Sequence, residues 1–121
     1  MGQYLSAFFQ SSNEDFETFT LLWLDANINQ SEENVEVQDR LTETIHQVKP
    51  FENPTDCEEY IRKKSEQDRI VLITSGQLGR TIVPRIHHLE QLLSIYVYCG
   101  NKDINEKWSA QYSKVIFEIF L

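Results

Sequence analysis

The run Ile70-Val71-Leu72-Ile73-Thr74-Ser75-Gly76-Gln77-Leu78-Gly79 limits what this chain can fold into more than any other stretch: an apolar strand ends abruptly in small polar residues and two glycines. Four consecutive β-favouring apolar residues suit a strand covered on both faces, because a half-solvated strand would alternate polar and apolar side chains. Strands of that kind belong to parallel sheets flanked by helices. In open parallel sheets, ligands bind beyond the carboxyl ends of the strands, so the joint from Thr74 to Gly79 is where chemistry is to be sought.

Strand and helix signals alternate from Phe19 onward, the pattern of βαβ units. Phe19-Thr20-Leu21-Leu22-Trp23-Leu24 reads as the first strand and stops at Asp25-Ala26-Asn27. Val37, Leu41, Ile45 and Val48 then recur at helical spacing, which predicts a helix from about Glu33 to Gln47 with its acidic face outward. A short second strand follows from Val48 to Glu52; Pro50 cannot donate to a ladder, so this strand belongs at an edge. Thr55 with Glu58 three residues on forms a capping box, and the helix it opens is expected to reach about Gln67 with Cys57, Tyr60 and Ile61 inward. The third strand is expected from Arg69 to Thr74. A third helix is placed from Gly79 to Glu90, with Pro84 in its first turn or at a kink. The fourth strand runs from Ser94 to Cys99, a fourth helix with Trp108 from Asp103 to Gln111, and the fifth strand from Val115 to Ile119. These elements use up the sequence and leave none for a final covering helix. The expected domain is residues 19–121, preceded by a leader of residues 1–18.

A chain of 121 residues fits one domain and buries about two thirds of the surface its extended form exposes. Nineteen acidic side chains against 11 basic ones give a formal charge of -8, which repels phosphate backbones unless cations are segregated on one face. The densest basic cluster, Arg62-Lys63-Lys64, sits among Glu58, Glu59 and Glu66 and reads as a solvated helix face, so nucleic acid is not an expected partner. Cys57 and Cys99 have neither metal-ligand nor C-x-x-C spacing, which points to a reducing compartment, with a disulfide between them as the alternative. There is no 18-residue apolar run and no secretory signal pattern, and the expectation is a cytoplasmic protein.

Met1-Gly2-Gln3-Tyr4-Leu5-Ser6 matches the N-myristoylation pattern, making Gly2 the candidate lipidation site. One acyl chain binds membrane with an association constant of only about 10⁴ M⁻¹, and no polybasic patch or nearby cysteine supplies a second anchor, so any membrane residence would be reversible. Tyr4, Leu5, Phe8, Phe9, Phe16 and Phe19 make this end aromatic, for packing on the domain or docking on a partner.

The order of elements resembles the flavodoxin-like group, especially bacterial-type receiver domains and, less closely, Toll/interleukin-receptor domains. That resemblance implies a three-layer α/β fold: an open parallel sheet of five strands in the order 2-1-3-4-5. It also implies a functional centre which this sequence does not reproduce. A receiver would carry paired acidic residues at the end of strand one and a phosphorylated aspartate at the end of strand three, where this chain has Leu24-Asp25 and Thr74-Ser75. It would close strands four and five with Thr or Ser and with Lys, where this chain has Cys99-Gly100 and Glu118 or Ile119. NAD-cleaving Toll/interleukin-receptor enzymes carry Ser-x-x-Trp-Cys-x-x-Glu after strand three, where this chain reads Ser75-Gly76-Gln77-Leu78-Gly79-Arg80-Thr81. The phrases from Ile73 to Gly79, Ile82 to His87 and Ile95 to Lys102 also resemble an uncharacterised domain found ahead of arginine ADP-ribosyltransferase or tetratricopeptide regions in multidomain invertebrate proteins. That likeness implies an accessory signalling module.

Candidate site residues gather at the carboxyl edge. Asp25 and Ser75 would meet there in the 2-1-3-4-5 order, Asp25 holding a metal-bound water or orienting a hydroxyl, or else capping the turn that follows it. Gly76, Gly79 and Arg80 would let backbone N–H groups and a guanidinium approach a phosphate at a helix start, although the spacing matches neither the dinucleotide fingerprint nor the Walker pattern. His87 and His88 point about 100° apart on a helix and so do not form a metal pair, and no G-x-S-x-G elbow supports a hydrolase. The expectation is a non-catalytic, receiver-like regulatory or protein-interaction module with no bound cofactor and a protein partner. The alternative is a domain that binds a nucleotide or ADP-ribose at the Ser75 to Arg80 loop.

Overall fold

In a computed structural model of the chain, residues 19–26, 36, 39, 47–98 and 102–117 are described. Five strands form one sheet: β1 (Thr20–Leu24), β2 (Val48–Phe51), β3 (Ile70–Ser75), β4 (Leu92–Tyr98) and β5 (Val115–Phe117). Their order is β2-β1-β3-β4-β5 and every neighbouring pair is parallel. Among the described residues the connecting helices are α1 (Pro54–Lys63), α2 (Gly76–Ile86) and α3 (Lys102–Ser109). This is the open flavodoxin-like α/β architecture, with the strand order that the resemblance implies.

Period-two alternation along the strands sorts their side chains into two faces. Leu22, Leu24, Ile70, Leu72, Ile95 and Val97 share one core with Cys57 and Ile61 of α1 and Ile82, Val83 and Ile86 of α2, and Trp108 of α3 packs against it. Leu21, Trp23, Val71, Ile73 and Tyr96 alternate with these residues and are buried as well. Both faces of the central strands are therefore dry, which is why their sequences are apolar runs. Each fully buried Leu or Ile contributes about 1.5–3 kcal/mol.

Several boundaries differ from the sequence expectation for local physical reasons. The N-cap of α1 is Asn53, whose Oδ1 accepts from the Thr55 backbone N–H at 2.7 Å, and Pro54 occupies the first turn. Proline suits that turn because its missing N–H would have no helical partner there, so the helix begins two residues ahead of the Thr55 capping box. Glu58 does not reach back to a cap. It joins α1 to α2, accepting from Arg62 Nε at 2.8 Å and from Arg85 Nε at 2.6 Å. The helix ends at Lys63, and Asp68 Oδ2 accepts from the Ser65 N–H at 2.8 Å to close the following turn. Helix α2 starts three residues earlier than expected, on a Ser75 cap, and Pro84 lies in its last turn instead of its first. Both Pro84 and Arg80 are exposed, so the Arg80 carbonyl that loses its helical donor is on the solvated side.

The expected helix between residues 33 and 47 is described only at Glu36 and Asp39, both helical and exposed, and at Gln47, which is not helical. The 1–18 leader with Gly2, His46, Cys99 and the last two residues of the expected fifth strand lie outside the described residues. Among the described residues, no helix is long and apolar enough to cross a membrane.

Two polar devices tie the helices down. Gln91, 5% exposed, donates its Nε2 to the Ile61 carbonyl at 3.0 Å and the Lys64 carbonyl at 3.3 Å, covering the C-terminal end of α1 from the start of β4. Replacing Gln91 by Leu removes both bonds and should lower the unfolding free energy measured in urea by about 0.5–1.5 kcal/mol, the net worth of a hydrogen bond, since the Ile61 carbonyl keeps the Lys64 N–H as a donor at 3.1 Å. Glu58 lies between two guanidiniums, whose hydrogen bonds, Arg85 first and Arg62 second, hold its carboxyl below its usual 4.5. A carboxyl lowered by folding adds stability that is fully present above its unfolded value and is lost as pH falls through the folded one. Stability measured from pH 6 downward should therefore fall less steeply below about pH 4.5 in Glu58→Gln than in the parent protein.

Candidate functional site

The parallel register fixes what meets at the carboxyl edge. Leu24 pairs with Thr74, Thr74 with Val97, and Ser75 with Tyr98. One step beyond Leu24 stands Asp25, which is 9% exposed and continues the ladder by donating its N–H to the Phe51 carbonyl at 3.0 Å. Asp25, Ser75 and Tyr98 are thus level on three adjacent strands, and alternation puts their side chains on the same face as Trp23, Ile73 and Tyr96. The sequence expectation that Asp25 and Ser75 meet at this edge is matched by this placement.

Tyr98 adds a partner that the sequence reading did not assign. Its hydroxyl donates to Asp25 Oδ2 and accepts from Trp23 Nε1 at 2.8 Å. The Trp23 and Tyr98 rings meet edge-on, 6.3 Å between centroids at 89°, a favoured aromatic geometry. Burial, and then the hydrogen bond to Asp25, push the Tyr98 hydroxyl far above its ordinary value of 10, so it keeps its proton and remains a donor. The signal available in the sequence was the period-two pair Tyr96 and Tyr98, which reads equally well as packing. Tyr96 is packed, at 5% exposure, whereas Tyr98 bridges to Asp25.

The second half of the edge is the start of α2. The Ser75 hydroxyl oxygen accepts from the Leu78 N–H at 3.4 Å and caps the helix. Gly76 and Gly79 are buried, but it is α3 that comes close to them. A Cβ on Gly76 would stand 2.5 Å from Asn105 Oδ1, and one on Gly79 would stand 3.2 Å from the Trp108 ring and 3.0 Å from Thr74 Cγ2. Asn105 is 4% exposed and is oriented by Trp108, whose Nε1 donates to Asn105 Oδ1 at 2.7 Å. The Ser109 hydroxyl donates to the Asn105 carbonyl at 2.6 Å. The close backbone approach that the sequence reading offered to a phosphate is thus used by an asparagine and a tryptophan of the same chain. Arg80 is exposed, one turn along α2.

The remaining candidates are dispersed. The His87 ring meets Tyr112 at a tilt of 56° with centroids 4.8 Å apart, while His88 is exposed; both lie just past the end of α2, whereas the sequence expectation places them on the helix. Cys57 is fully buried, and burial followed by the charge of Glu58 pushes its thiol up to about 12, so it is packing and not a nucleophile. Among the described residues, no group of three or more His, Cys, Asp or Glu side chains converges on a metal-sized position. Comparisons with protein-family models, with curated proteins and with solved structures found no match.

The contact between Gly76 and Asn105 carries a prediction with a sign. In an unobstructed helix, Gly→Ala adds about 0.5–1 kcal/mol of stability. Here Gly76→Ala should instead lose about 1–3 kcal/mol through overpacking, and that loss should vanish when Asn105→Ala is also present. Equilibrium unfolding of the four proteins of the double-mutant cycle measures it.

Proposed function

We propose that this chain is a non-catalytic, receiver-like regulatory or protein-interaction module. One observation carries the reading: the carboxyl edge, where open α/β sheets bind ligands, has its polar groups engaged with one another. Tyr98 joins Asp25 to Trp23, and Ser75 is spent on capping α2. The glycines that would admit a phosphate lie against Asn105 and Trp108. Thr74 and Ser75 stand where a receiver would carry its phosphoacceptor, and Thr74 is fully buried with its hydroxyl donating to the Ser75 carbonyl at 3.1 Å. A sheet that keeps the architecture while filling its crevice from within leaves its outer surfaces as the means of action. The concavity of about 870 Å³ beside α3 and the start of β5, with Tyr112 and Val115 in its lining and Asp103, Glu106 and Lys107 around them, is a surface of the kind a protein partner uses.

Calorimetric titration of NAD, ADP-ribose and ATP into the protein separates this reading from nucleotide binding. The expected result is no heat of binding that Arg80→Ala abolishes, together with no labelling by acetyl phosphate in Mg²⁺. Micromolar binding of any of the three that disappears in Arg80→Ala would overturn the proposal in favour of a nucleotide site at the start of α2.

A further inference from the structure

At the opposite end of the sheet, where β2 begins, Gln47, Val48, Lys49, Tyr60 and Lys64 line a concavity of about 410 Å³. The ammonium groups of Lys49 and Lys64 lie 5.4 Å and 4.9 Å from the centre of the same Tyr60 ring. At such distances a cation is attracted by the ring quadrupole, which steadies each of two otherwise flexible side chains against Tyr60. Tyr60 is itself held by Phe51, with ring centroids 5.7 Å apart.

The chemistry of this lining is one-sided. Among the described residues no carboxylate lines the concavity, and neither lysine forms an ion pair. Gln47 Oε1 accepts the Thr20 hydroxyl at 2.9 Å, which leaves the carboxamide NH₂ of Gln47 as a third donor at the same site. Lys64 is the C-cap residue of α1, where a cation is favoured by the helix dipole. No such cause applies to Lys49, on the edge strand. In a chain with 19 acidic and 11 basic residues, two ammoniums set against one ring, with no carboxylate in the described lining, make a local positive field that attracts an anion.

We infer that this pocket binds a phosphate-type dianion, with Lys49 and Lys64 neutralising it and the Gln47 amide donating a hydrogen bond. Two cations match the charge of about -1.5 to -2 that a phosphate monoester carries at neutral pH. A single carboxylate would leave one ammonium uncompensated. The site lies at the other end of the strands from Asp25, Ser75 and Tyr98, so it stands or falls independently of the role proposed for that edge.

Two-dimensional NMR of the full chain, titrated with inorganic phosphate against sodium chloride of equal ionic strength, tests the inference. Phosphate should produce saturable shifts at the amides of residues 47–49 and 60–64, and chloride should not. Lys49→Gln with Lys64→Gln should weaken the binding by at least about tenfold, the scale of losing charge-assisted hydrogen bonds, with the thermal midpoint unchanged. The corresponding Arg pair should retain it, and each single Gln variant serves the same comparison if the double variant loses its fold. A second arm uses a phosphoserine peptide and its unphosphorylated form. Tighter binding of the phosphopeptide than of inorganic phosphate identifies a protein-borne phosphate, and equal binding identifies a small free one. Shifts that fail to saturate, that chloride reproduces, or that survive the double Gln substitution would overturn the site.

Discussion

The structure depends on the registry of three parallel strands buried on both faces. Trp23, Ile73 and Tyr96 stand in one row, and Leu24, Thr74 and Val97 in the next. A slip of one residue in β1 would send Trp23 to the face of Leu22 and Leu24 and move those two leucines the other way. All three are fully buried, so the packing on either face resists the slip. With registry held in this way, Asp25, Ser75 and Tyr98 end level. Strands lie about 4.8 Å apart, so Asp25 and Tyr98 are separated by two strand spacings. A tyrosine is long enough to cross the strand between them, and the hydroxyl arrives at Asp25 because the ladder delivers it there.

The same registry decides what the glycines are for. A glycine in a strand-to-helix joint marks a backbone that something approaches closely, and nothing local says whether that is a ligand or another part of the chain. Asn105 and Trp108 reach Gly76 and Gly79 because α3 follows β4, the strand next to β3, and packs beside α2. The hydrogen bond from Trp108 to Asn105 then keeps the carboxamide against the Gly76 backbone. This is a contact of tertiary origin, legible only once the order of the strands is known.

Sequence periodicity therefore revealed the scaffold and left the site half readable. Apolar runs such as Ile70 to Ile73 carry their own explanation, since only a doubly covered strand tolerates them; the parallel sheet follows from the alternation of strands with helices, whereas the 2-1-3-4-5 order came from the resemblance to the flavodoxin-like group. Helix starts were less legible because Asn53 and Thr55 are both good caps, and it is Pro54 in the first turn that settles the choice. The Asp25–Tyr98 bridge spans 73 residues and Gln91 reaches α1 across 30. Distances of that kind leave no pattern in a local window, where Tyr98 looks like packing and Gln91 like a loop residue.

The two ends of the sheet differ in how their polar groups are satisfied, and that difference bears on function. At the carboxyl edge four donors find acceptors within the fold: Trp23 on Tyr98, Tyr98 on Asp25, Leu78 on Ser75, Trp108 on Asn105. A ligand entering there would have to break bonds already made in a largely dry setting, where an orphaned polar group costs about 1–3 kcal/mol. At the amino end, Lys49 and Lys64 meet an aromatic face in place of a carboxylate. Among the described residues neither lysine has an ion pair for an anion to displace. The crevice at the carboxyl edge, where open α/β sheets bind ligands, is thus the harder of the two ends for a ligand to enter.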